Sequence, residues 1–354
     1  MNNVIKQFDI KGTPVYCERY GAGHINKTYD IKTDQGKRYI LQRINSDIFQ
    51  NVAGLMRNIE LVTAHLAKVS PKEHKPLRLI PTRAGGSYYV DEHGNNWRMW
   101  KFISRSVCLN RAESPEDFYQ SALAFGGFSQ LMSSFNASLL EETIPRFHDT
   151  PQRYAQLKEA IAADPCGRVA GVQPEIAFAM AREEEARIMV DMMREGKLPL
   201  RVTHNDTKLN NVMLDKSTRK PLCVIDLDCV MPGLLGNDFG DSIRFGASTA
   251  AEDEQDLRRV NLDLTLYEAY VKGFMEACGN AMTEAEIQTL PLSAKLMTLE
   301  CGIRFLADHI QGDTYFSICR SGHNLDRART QFKLVADMEK HADEMTAIIK
   351  KYRV

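Results

Sequence analysis

The stretch His204-Asn205-Asp206-Thr207-Lys208-Leu209-Asn210-Asn211 holds a carboxylate, an ammonium and an amide at the spacing H-x-D-x-K-x-x-N. A short apolar run, Val212-Met213-Leu214, follows, then a turn through Asp215-Lys216-Ser217-Thr218. A second run, Leu222-Cys223-Val224-Ile225, delivers Asp226-Leu227-Asp228. Side chains of these types in this order could move a phosphoryl group, a reaction that mainly needs an aligned nucleophile and neutralised negative charge. Asp206 would orient an acceptor hydroxyl and take its proton. Lys208 would set a mobile positive charge against the transferring group. Asn211 and Asp226 offer one neutral and one anionic oxygen, hard donors suited to Mg²⁺. Alone, an Asp after a strand is most often a turn or cap residue; the complete set in order is what points to catalysis. His204 reads as a buried hydrogen-bonding strut behind the loop. Asp228 could assist the metal, bind the acceptor or cap the next turn.

A nucleotide would need further groups upstream. Gly21-Ala22-Gly23-His24-Ile25-Asn26 lies between two strand-like runs. Gly21 and Gly23 could bring backbone amides over phosphates, although a lone G-x-G in a hairpin is often only a turn. Glu60 falls midway along an amphipathic stretch, where a phosphate-positioning basic residue would find its partner; the alternative is an exposed helical acid. Many kinases carry Lys on the strand occupied here by Leu41-Gln42-Arg43. Gln42 is uncharged, and Arg43 faces the other side of the sheet if Gln42 points inward. The basic partner of Glu60 is therefore not identified, which is also the best support for a non-catalytic nucleotide-binding scaffold.

The elements that must position these groups change character along the chain. Runs at 15–19, 27–31, 38–44 and 87–90 are short and rich in β-branched or aromatic residues, which predicts strands. Val52, Leu55, Met56, Ile59, Val62 and Leu66 recur at helical spacing and predict a helix over 51–68. Beyond residue 105 the pattern turns helical. Ser114-Pro115-Glu116-Asp117 and Thr283-Glu284-Ala285-Glu286 are helix starts, and single helices are expected over 174–195 and 327–350. The expectation is an α+β, protein-kinase-like two-lobed fold. A β-rich nucleotide-binding lobe over 1–100 would meet a mainly helical catalytic and acceptor lobe over 101–354. Trp97-Arg98-Met99-Trp100-Lys101-Phe102-Ile103 would run from strand into a hinge near 97–104, placing Phe102 and Ile103 beside the nucleotide.

Composition bounds the remaining possibilities. Hydrophobic residues make up 44% and charged residues 26%, enough for an ample core. A net charge of −1 leaves no electrostatic footprint for nucleic acid or an anionic membrane. No apolar stretch is long enough to span a bilayer. The first residues lack the apolar core of a signal peptide, and the eight cysteines form no C-x-x-C pair, so the cytoplasm is the expected compartment.

These residues resemble the aminoglycoside phosphotransferase and choline kinase family, small-molecule relatives of the protein kinases. The likeness is closer to one branch, the bacterial N-acetylhexosamine 1-kinases, and extends over nearly the whole chain. It is carried by Tyr20-Gly21-Ala22-Gly23-His24-Ile25-Asn26, Met56-Arg57-Asn58-Ile59-Glu60-Leu61-Val62, Phe147-His148-Asp149-Thr150-Pro151 and the stretch from Arg201 to Asn211. Asp238-Phe239-Gly240-Asp241-Ser242-Ile243-Arg244-Phe245-Gly246 and Glu300-Cys301-Gly302-Ile303-Arg304-Phe305-Leu306-Ala307-Asp308 complete it. The resemblance implies ATP- and Mg²⁺-dependent phosphorylation of the anomeric hydroxyl of N-acetylglucosamine or N-acetylgalactosamine. It implies a sugar pocket containing His24, Phe245, Arg304 and Tyr315. A kinase of another small alcohol, such as an aminoglycoside, choline or homoserine, is the nearest alternative. Two departures stand out: Asn205 occupies a position that is often Gly in the family, and Asp238-Phe239-Gly240-Asp241 has a shorter spacing than the usual second acidic motif.

Overall fold

The computed structural model describes residues 1–21, 25–71 and 76–353. Its first strands are β1 (Pro14–Arg19), β2 (Lys27–Thr33), β3 (Arg38–Arg43), β4 (Tyr89–Val90) and β5 (Asn96–Lys101). They form one antiparallel sheet in the order β1-β2-β3-β5-β4. Alternation along the strands gives the sheet two unlike faces. Ile31, Tyr39, Leu41, Trp97 and Met99 cover one face and pack against Val4, Ile5 and Phe8, at and beyond a short first helix, α1 (Asn2–Ile5). Ile40 and Trp100 lie on the other and meet Leu55, Met56 and Ile59 of α2 (Val52–Val69). Helix α2 starts where Asn51 Oδ1 accepts the Gly54 amide at 2.9 Å, one residue from the expected boundary.

After β5 the chain passes through 102–105 to β6 (Ser106–Val107) and enters the helical part at α3 (Pro115–Met132), capped by Ser114 as its sequence predicts. Helix α4 (Thr150–Ala163) follows. The single helix expected over 174–195 is in fact α5 (Gln173–Met180), a tight turn, and α6 (Ile188–Arg194). The break coincides with ion pairs to three separate helices. Arg182 binds Glu339, Glu183 binds Lys158 and Glu185 binds Lys295, so the chain follows its partners rather than its own helical period.

A small two-strand pair, β7 (Arg201–Thr203) with β10 (Met231–Gly233), flanks the hairpin of β8 (Val212–Asp215) and β9 (Pro221–Val224). Val212, Leu214 and Val224 join the same apolar core as α2, Phe125 and Phe128. The candidate catalytic loop is therefore built directly on the core that carries the sheet. Helices α7 (Leu235–Gly246), α8 (Leu264–Cys278) and α9 (Glu284–Gln311) pack behind it, and α9 starts with the expected Thr283 and Glu286 capping box. A Cβ at Gly240 would lie 2.5 Å from the Ser293 carbonyl oxygen, so glycine lets α7 rest directly on α9. The last expected helix divides into α10 (His323–Lys340) and α11 (Ala342–Lys351). The turn at His341 directs Met345 and Ile349 into the core around Tyr267, which a straight helix would not do.

Candidate active site

Strand β7 ends at Thr203 and leaves His204 fully buried between the rings of Phe125 and Phe128, 5.3 and 6.0 Å away. Its Nε2 lies 2.9 Å from the Ile225 carbonyl, and its Nδ1 lies 3.3 Å from the Asp206 amide. Those partners require the tautomer with its proton on Nε2. His204 thus bridges the catalytic loop to the residue preceding Asp226. Asn205 adopts φ +60, a left-handed conformation that Gly or Asn tolerates best, and this accounts for the residue type here.

Asp206 stands half-buried with each carboxylate oxygen engaged. Lys208 Nζ lies 2.9 Å from Oδ1, and Asn211 Nδ2 donates to Oδ2 at 2.9 Å and to the Asp206 carbonyl at 2.8 Å. The Asp206 charge, ahead of any other influence, raises the Lys208 ammonium above its ordinary value, so it stays cationic. Because the Asn211 amide nitrogen points at two acceptors, its Oδ1 is the atom left for a cation. Asp226 has φ +61. Enclosure by the protein, then the charges of Asp228 and Asp206, push its carboxyl above the ordinary range, opposed by Arg98 and Lys208. The side chain is nonetheless exposed to solvent, which screens part of that shift. An exposed carboxylate that its neighbours disfavour as an anion, beside a free amide oxygen, is a donor set that a hard divalent cation would satisfy.

Two acids of the Asp238-Phe239-Gly240-Asp241 motif hold this loop. Asp238, 1% exposed at the start of α7, accepts the His204 amide at 2.8 Å and the Asn205 amide at 2.7 Å. Burial raises its carboxyl to about 6 even so. Asp241, one turn on, accepts the Thr207 amide at 3.0 Å and pairs with Arg244 at 2.9 Å. Burial pushes the Asp241 carboxyl up, but Arg244 and Lys208 outweigh it and hold it below its usual range. The short acidic motif is therefore an anchor for the loop. The clue in sequence is an i, i+3 pair of acids in the first turns of a helix, which places both on one face.

The residues expected to meet the nucleotide do not all line one cavity. Gly21 lies at φ +74, and Tyr20 before it sets its ring edge-on to Phe102, 6.2 Å away. Arg38 stacks over Phe102 at 3.7 Å and is gripped by Asp30. Gly23 and His24 lie outside the described residues. Gln42 faces inward, its Oε1 accepting from Arg98 Nε at 2.9 Å and from Trp100 Nε1 at 2.8 Å. Glu60, Phe102 and Ile103 share a cavity of about 930 Å³ beside α2, whose walls include none of Gln42, Asp206, Asn211 or Asp226. The Glu60 carboxylate is exposed and makes no ion pair among the described residues. Asp228, 2% exposed, accepts from Asn26 Nδ2 at 2.6 Å and lies 2.5 Å from Arg98, so its carboxylate ties the sheet to the loop after β9.

On the far side, Arg304 of α9 stands among the rings of Phe147, Phe316 and Tyr315, at 5.1, 5.4 and 5.9 Å. It makes no ion pair among the described residues. Asp308 pins the segment bearing two of these rings, accepting the Tyr315 and Phe316 amides at 2.8 and 3.0 Å. Tyr315 is 63% exposed, whereas Phe245 is half-buried near the end of α7.

The fold is that of a protein-kinase-like phosphotransferase. The chain belongs to the phosphotransferase enzyme family, whose model matches residues 17–272. Among solved structures, it is similar to a microcompartment-associated aminopropanol kinase at 16% identity, covering 98% of this chain and 97% of the other, with a TM-score of 0.64. An aminoglycoside phosphotransferase from Alicyclobacillus acidocaldarius matches at 14% identity over 100% and 95% of the two chains, with a TM-score of 0.61. A choline kinase from Cryptosporidium parvum matches at 11% identity over 99% and 97%, with a TM-score of 0.60. No helix among the described residues is long and apolar enough to cross a membrane.

Proposed function

We propose that this phosphotransferase is an ATP- and Mg²⁺-dependent kinase of a small neutral sugar, transferring the γ-phosphoryl group to the anomeric hydroxyl of N-acetylglucosamine or N-acetylgalactosamine. The observation that carries the choice of a neutral acceptor is Arg304. Aromatic rings that could cage a substrate ammonium already surround this guanidinium, and its charge repels choline, amino alcohols and aminoglycosides. A neutral sugar instead gains hydrogen-bond donors for its hydroxyls or acetamido oxygen, and an exposed Tyr315 ring to stack on. The N-acetylhexosamine assignment within that class rests on the sequence resemblance.

In this mechanism Asp206 holds the acceptor hydroxyl, aligns it for in-line attack and takes its proton. Lys208 and Asn211 keep the Asp206 carboxylate oriented throughout, and Lys208 also faces the charge that develops on the transferring group. Asn211 Oδ1 and Asp226 would hold Mg²⁺, which when bound neutralises phosphate charge and fixes the leaving group. Phosphorus–proton correlation NMR of the product tests the assignment directly. Coupling of the new phosphorus to the sugar H1 is expected, and coupling to H6 or another position would overturn it.

A further inference from the structure

Kinases place a lysine on the third strand of the sheet, facing the nucleotide's phosphates; in this chain that position is Gln42. The charge is found one strand over. In the antiparallel register Gln42 lies directly opposite Arg98 of β5, so the two side chains rise side by side from the inner face of the sheet. Arg98 is 1% exposed, the largest fully buried side chain among the described residues. Its Nε is committed to Gln42 Oε1, which also receives Trp100 Nε1, so the neutral amide works as a bracket that aims the guanidinium. The Arg98 plane is steadied further by the Trp100 ring, 5.4 Å away.

What the guanidinium is aimed at matters most. Nη1 comes within 2.5 Å of Asp228 Oδ1, a buried ion pair that holds the guanidinium at the loop bearing Asp226. The charges of Asp228 and Asp206 act on Asp226, opposed by those of two cations, Arg98 and Lys208. Lys208 serves the catalytic loop. Arg98 is the cation on the sheet side, where the nucleotide's phosphates and their counter-ion would meet Asp226.

We infer that Arg98 takes the place of the strand lysine: with Gln42 as its bracket, it supplies the positive charge that positions the nucleotide's phosphates, and it links the sheet to the metal-binding loop through Asp228. The usual helix-to-strand ion pair then becomes unnecessary, consistent with Glu60 standing exposed and making no ion pair among the described residues. This inference rests on the phosphotransferase reading of the site but not on the identity of the sugar.

Direct nucleotide binding separates the two. Calorimetry with ADP and Mg²⁺, on wild type, Arg98→Met, Arg98→Lys and the double variant Gln42→Lys/Arg98→Met, needs no acceptor. Loss of one charge-assisted contact predicts a Kd about 10- to 100-fold higher for Arg98→Met. The double variant, which returns a lysine to the third strand, recovers at least part of that affinity. Thermal melts report whether each variant is folded, and Arg98→Lys keeps a charge in place should Arg98→Met fail to fold. Wild-type affinity in a folded Arg98→Met, or an equal loss in Arg98→Lys and no recovery in the double variant, overturns the role of Arg98 while leaving the kinase assignment intact. No binding by wild type overturns the nucleotide site itself.

Discussion

The helical side and the sheet side of the candidate site solve the same problem of holding charge in place by opposite means. On the helical side, the catalytic loop is fastened through its backbone. Asp238 and Asp241 accept the amides of His204, Asn205 and Thr207, and Asn211 locks the Asp206 carboxylate. On the sheet side, the fastening runs through side chains that cross from strand to strand and from sheet to loop, Gln42 to Arg98 to Asp228 to Asn26. Backbone anchoring fixes where a group sits whatever the neighbouring side chains are, which suits a base that must hold its position to well under an ångström. A side-chain relay allows the cation to sit on a different strand, provided the register brings it to the same place.

Breaking the helical side should do the greatest damage to turnover. Asp206→Asn should lower kcat by roughly 10²- to 10⁴-fold, with nucleotide affinity little changed, as steady-state kinetics and calorimetry would report. A matching loss of nucleotide binding would make Asp206 a structural residue instead.

The anchor behind the loop is expected to show itself in pH dependence. The folded-state value of Asp238, about 6, lies above its ordinary value of 3.8, so the folded protein binds the extra proton between those limits. That contribution to stability is full below about pH 4 and is lost as pH rises through 6, amounting to about 3 kcal/mol at most. In urea melts, the stability of wild type relative to Asp238→Asn should therefore fall between pH 4.5 and 7.5. A difference that is flat, or that grows with pH, would contradict the buried-carboxylate account.

Smaller effects follow toward the edges of the candidate site. Arg304→Met should raise the KM for a neutral sugar about 3- to 10-fold with little change in the KM for ATP. The same variant should relax the exclusion of cationic acceptors. Least of all, Glu60→Ala should change the KM for ATP by less than about 2-fold, because an exposed acid with no ion pair among the described residues has little to lose. A large effect there would return the phosphate-positioning role to the helix and weaken the case for Arg98.

The same contrast explains what could be read from the sequence. The grouping of Asp206, Lys208 and Asn211 was legible because these side chains lie within a single short segment and local geometry sets their spacing. Caps at Ser114 and Thr283 were legible for the same reason, each being satisfied within three residues. Arg98 was not, since its partnership with Gln42 depends on strand register across 56 positions. Asp238 reaches its loop across more than thirty residues. The break in the helix expected over 174–195 follows from ion pairs to helices elsewhere in the chain, which no local period records.

Acceptor choice tests the central claim most directly. ADP release would be measured with Mg-ATP and N-acetylglucosamine, N-acetylgalactosamine, their 1-O-methyl glycosides, glucose, choline and kanamycin. The account predicts turnover of the free N-acetylhexosamines and none of the methyl glycosides or the cations. Turnover confined to choline or kanamycin would leave the kinase fold standing and contradict the neutral-sugar site built around Arg304.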